Sequence, residues 1–140
     1  MILDCNYEEI TALTHGARSY LDEPSGAGSA VVAPSASRAA VESLLGRLRD
    51  DLSVRTLAEQ RELQRGIQAV VGHLRATMDA EVMATHPAAE EAVAAYFDFA
   101  HALSVLGRVR LMGEEMSALV EVMTGAPPDE ESVRSFIFPD

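Results

Sequence analysis

The chain has 140 residues, enough to bury one sizeable core without disulfide staples. Apolar residues make up 48% and charged residues 24%, a globular balance, and the formal net charge of −11 opposes nucleic-acid binding, which needs a basic footprint. All eleven basic residues are Arg, so a phosphate-loop lysine and Schiff-base lysine chemistry are both excluded.

Only seven residues are aromatic, which leaves Ala, Val, Leu and Met to build the core. Ala, Leu and Met favour helix, whereas strands favour β-branched and aromatic residues. The expected fold is all-α: one domain over residues 1–140, a helical bundle built on a long antiparallel hairpin with two shorter N-terminal helices. The single Cys5 rules out an internal disulfide and fits a reducing compartment. Residues 1–5 carry neither the basic stretch nor the apolar run of a signal peptide. The most apolar run, residues 92–106, is interrupted by Asp98 and His101 and is shorter than the ~20 residues a membrane crossing needs. The expected location is cytoplasmic, with no membrane and no nucleic acid as partner.

In chain order, Asn6 with Glu9 three positions later forms a capping-box pattern, and Tyr7, Ile10, Leu13, Ala17 and Leu21 recur at helical spacing. This predicts an amphipathic helix over 7–21, with Glu8, Glu9, His15 and Arg18 on its polar side. Residues of about 22–36, rich in Pro, Gly, Ser and Ala, read as a flexible linker. Gly26-Ala27-Gly28-Ser29 within it lacks the Lys and the preceding strand of a phosphate loop.

Ser37 can cap a second helix with the stripe Val41, Leu44, Leu45, Leu48 and Leu52, and Ser53 reads as the cap of a third. The third helix runs to about Thr85 on the stripe Leu63, Ile67, Val70, Val71, Leu74, Met78 and Val82. Arg61, Arg65, Gln68 and Asp79 stand opposite, and Arg61 with Arg65 makes a modest basic patch. His86-Pro87 ends this helix, and a fourth runs from about Ala88 to Thr124, closed by Gly125 and Pro127-Pro128. A break so short between two long arms predicts an antiparallel hairpin over about 54–124. The C-terminal stretch, Ser135 to Asp140, is expected to pack back on the bundle beside residues 1–5.

The fourth helix is unusual. Its first half is apolar nearly all round, centred near Ala92, Tyr96, Phe99 and Leu103, with Glu91, Asp98, His101 and Arg108 as its only polar line. In its second half the apolar line Val105, Val109, Met112, Met116, Leu119 and Met123 lies almost opposite. The buried face is therefore expected to swap sides near Gly107. A single hairpin partner cannot cover two opposed faces; the first two helices can cover one and a second chain the other. Those six residues are therefore expected to form the interface of a homodimer, with Met filling irregular gaps.

Two functional readings follow. The first is a non-enzymatic protein–protein interaction or scaffold module, self-associating through the hairpin or docking another protein. No metalloprotease motif, paired Cys spacing or nucleophile elbow occurs, and no catalytic residue or bound cofactor is expected. The alternative is a metal-binding, ferritin-like bundle. Asp98 and His101, at i and i+3, with Glu91 a heptad back, have the spacing from which iron, manganese or zinc carboxylate sites are assembled. A pocket around Tyr96, Phe97 and Phe99 has no residue that singles out a ligand.

Overall fold

In the computed structural model the described residues are 1–23, 35–49, 52–84 and 90–139. They form α1 (Tyr7–Asp22), α2 (Ser35–Arg47), α3 (Leu57–Ala84), α4 (Glu90–Thr124) and α5 (Glu130–Ser135). The all-α hairpin bundle is as expected: α3 and α4, about 42 and 52 Å long at the helical rise, pack along each other and carry α1 and α2 on one side. Of the expected linker over about 22–36, Asp22 belongs to α1, and Ser35 and Ala36 belong to α2. Residues 24–34, including Gly26–Ser29, lie outside the described residues, as do His86 and Pro87.

Local chemistry sets the helix ends. The Asn6 side chain accepts the Glu9 N–H at 2.8 Å while the Glu9 carboxylate accepts the Asn6 N–H at 2.9 Å, so α1 starts with a reciprocal cap. Ser53 does not cap α3. It lies in an extended segment bridged to Ile2, and Thr56 instead accepts the Glu59 N–H at 3.1 Å. The preference for Thr56 follows from the neighbouring pairing, because Val54 donates to Met1 O and Leu3 donates to Leu52 O. The α4 helix ends at Gly125, whose φ of +77° is a conformation that only Gly adopts freely.

The C-terminal stretch returns to the N-terminus, as its composition implied. Phe138 donates to Arg55 O at 2.7 Å, and the Met1 ammonium reaches Val54 O and Pro139 O. This clasp closes one end of the bundle, which we call its base; the end of α3 at Ala84 and the start of α4 at Glu90 mark the other end, the tip.

Two close approaches knit the base. A Cβ on Gly66 would stand 2.7 Å from Ala40 O, so α2 rests directly on the α3 backbone. Gln60, fully buried, crosses from α3 to donate to Val109 O on α4 at 2.8 Å and to Gln64 Oε1 at 2.9 Å. It fits because Gly113 beside it has no side chain.

Helix α4 is unbroken through Gly107, and its buried face does not swap sides. Ala102, Val105, Leu106, Val109, Met112, Met116 and Val120 make one buried line down the bundle, continued towards the tip by Ala92. The expected second apolar face, at Tyr96 and Leu103, stays in solvent. The helix α1 is also rotated from its expected seating. Tyr7 is 81% exposed while Glu9 is buried, because Arg108 on α4 reaches over to pair with that carboxylate.

Candidate functional site

The residues expected to hold a metal do not converge. Asp98 faces α1, where its carboxylate lies 3.6 Å from His15 Nδ1 rather than joining His101, and Glu91 is exposed. Among the described residues no group of three or more His, Cys, Asp or Glu side chains comes together.

The six residues expected at a dimer seam divide in two. Val105, Val109, Met112 and Met116 belong to the chain's own core, because α1 and α3 cover that line of α4. They are therefore not a free interface surface. Leu119 and Met123 remain exposed at 45% and 69%.

Leu111 and Val122 are exposed as well, and a further uncovered apolar surface lies on the tip half of α4. Val93, Tyr96, Phe97 and Leu103 are 42–56% exposed; Tyr96 and Phe97 stand three and four residues beyond Val93, and Leu103 stands seven beyond Tyr96, which puts them on one broad face. The Tyr96 and Phe97 rings meet edge-on, with centroids 5.8 Å apart. Val82 and Met83 add exposed apolar surface at the end of α3. The partly buried Phe99 packs against the core instead, so the three aromatics do not enclose one pocket.

A second cluster escaped sequence reading. His73 on α3 is buried, with Nε2 2.8 Å from Ser19 Oγ, Nδ1 3.8 Å from Glu23 Oε2 and the Tyr20 ring edge-on to it. Ser19 and His73 lie 54 residues apart, so no local spacing links them. The order Ser–His–Glu is that of a nucleophilic triad, but the setting is wrong for one. Ser19 sits in the last turn of α1, where backbone N–H groups are spent within the helix and the carbonyl end carries partial negative charge. An oxyanion needs converging donors there. The cluster instead satisfies a buried imidazole and ties α1 to α3.

A third cluster joins α1, α4 and the N-terminal segment. The Arg108 guanidinium pairs with the Glu9 carboxylate and donates to Asp4 O at 2.9 Å. Burial alone would raise the Glu9 carboxyl, but the Arg108 guanidinium and the Asn6 N–H outweigh it and hold it below the ordinary carboxylate range. Half-buried Cys5 stands beside this pair. Burial pushes its thiol up to about 11, Arg108 pulls it down, and Glu9 and Asp4 add to the rise. A thiol so rarely ionised is a poor nucleophile.

Finally, a groove of about 1120 Å³ runs along the base half of the hairpin, with Arg61, Gln64, Arg65 and Gln68 from α3 and Arg110 and Ser117 from α4 among its walls. The basic patch seen in the sequence thus gains a third arginine from a distant helix. No protein-family model, no curated protein and no solved structure matches this chain.

Proposed function

We propose that this chain is a non-enzymatic interaction or scaffold module that self-associates through the bare tip half of its hairpin. The observation that carries the reading is the exposed face Val93, Tyr96, Phe97 and Leu103 on α4. Contiguous apolar patches on monomers usually mark interaction sites, and rigid aromatics are enriched at interface centres. A second copy fits this face because a two-fold axis sets two identical patches against each other, so that each covers the other. Glu90 and Glu91, both exposed at the start of α4, supply a polar rim. The triad-like and carboxylate–imidazole pairs are spent holding helices together, which supports a role without chemistry.

The test is light scattering after size-exclusion chromatography on the wild type and on a Tyr96→Glu/Leu103→Glu variant. The wild type is expected at twice the chain mass of 15.0 kDa and the variant at the single-chain mass, with unchanged far-ultraviolet circular dichroism. A wild type that stays at the single-chain mass at every concentration overturns self-association.

A further inference from the structure

We propose that the groove between α3 and α4 at the base of the hairpin binds an acidic peptide segment of a partner protein through Arg61, Arg65 and Arg110. The three guanidiniums line one groove, and among the described residues none of them has an ion-pair or hydrogen-bond partner. In a chain with 22 acidic residues against 11 basic ones, the average cation has carboxylates to spare around it. Elsewhere Arg38 pairs with Glu42, Arg108 pairs with Glu9 and Arg47 donates to Ser53 O, while Arg18 and Arg75 are without a partner among the described residues. Arg61, Arg65 and Arg110 differ in that they share one groove. Glu114 lies one turn beyond Arg110 in the same groove and still forms no ion pair with it. The groove thus gathers three open guanidiniums on one surface, against the two carboxylates of Glu114 and Glu121.

The spacing identifies the ligand chemistry. Arg61 and Arg65 stand one helical turn apart, with side chains ~6 Å apart at their roots. That matches carboxylates one turn apart on a helical segment, or on alternate residues of an extended one, each able to take a planar guanidinium bidentately. Gln64, Gln68 and Ser117 offer neutral donors and acceptors for the backbone between them. Ala118 leaves the α4 side low enough for close approach. A nucleic-acid backbone is the poorer fit. Its dense charge would meet the net −11 of the whole chain within a Debye length of ~8–10 Å, whereas a short acidic segment presents only its few carboxylates to the groove. The groove is lined by residues distinct from the apolar face of α4, so both surfaces can be occupied together.

The experiment is fluorescence anisotropy with a short fluorescein-labelled oligoglutamate, titrated with the full chain at low ionic strength. Binding is expected, weakening as salt is raised, and falling at least ~10-fold in Arg61→Ser/Arg65→Ser, whose fold is checked by circular dichroism. The Leu103→Glu variant is expected to bind as the wild type does. Absence of binding by the wild type, or equal binding by the double Ser variant, overturns the proposal. So does tighter binding of a single-stranded oligonucleotide of matched charge, which would assign the groove to phosphate.

Discussion

Met116 and Tyr96 stand on the same uninterrupted helix, and their fates are opposite: Met116 is fully buried and Tyr96 is 56% exposed. Around Met116 the base of the hairpin is closed by α3, by the returning termini and by α1 and α2 laid along one side. Around Tyr96, α1 reaches α4 through His15 to Asp98, and the outer face of α4 at Val93, Tyr96, Phe97 and Leu103 is exposed. The buried stretch of α3 likewise ends at Leu74, ten residues short of the helix end at Ala84. The contrast teaches that burial along a long helix is decided by where its neighbours stop, not by where its own apolar residues run.

Truncation should separate the two regions most sharply. Met116→Ala is expected to cost about 2–5 kcal/mol of unfolding free energy, as for other core truncations. Tyr96→Ala, measured in solution dilute enough to separate copies, is expected to stay within about 0.5 kcal/mol. Chemical denaturation of both variants checks this. Equal losses would mean that the tip is as tightly packed as the base.

A smaller effect is expected at the Glu9–Arg108 pair, which fastens α1 to the base. Arg108→Ala leaves Glu9 buried without its cation, at a cost of about 1–3 kcal/mol, nearer the lower end because the Arg108 side chain is 41% exposed. The acid limb follows from the direction of the shift. The folded Glu9 carboxyl lies below its unfolded value, so its contribution is present above the unfolded value and fades as pH falls through the folded one. Denaturation at stepped acid pH should therefore show a steeper loss in the wild type than in Arg108→Ala; parallel curves would place the acid sensitivity elsewhere.

The smallest perturbation probes the same corner without a mutation. With its thiol raised from 9.0 to about 11, Cys5 should react with iodoacetamide near pH 8 roughly 100-fold more slowly than in the denatured chain. A native rate close to the denatured one would show that the corner around Cys5 opens readily.

Much of this architecture was legible before the structure. The Asn6–Glu9 cap, the stripe of α3 from Leu63 to Leu74, the stop at Gly125 and the return of the C-terminal segment follow from short-range rules of capping and periodicity. The candidate surfaces were less legible. Both apolar lines of α4 were visible, but which one becomes core depended on which side α1 and α3 occupy. Likewise Arg61 and Arg65 read as a local patch, and Arg110 joined them only through the pairing of α3 with α4.

The sequence by itself determined the helices, the start of α1, the stop at Gly125 and the hairpin, because capping, propensity and spacing act over a few residues. The cap of α3 at Thr56 rather than Ser53 came instead from pairing with the N-terminal segment. Tertiary structure alone decided that Glu9 and His73 are buried, that Val105 to Met116 face inward and that Tyr96 and Leu103 face out. Those outcomes rest on contacts between residues far apart in the chain, where a single partner such as Arg108 or Ser19 makes burial of a polar group favourable.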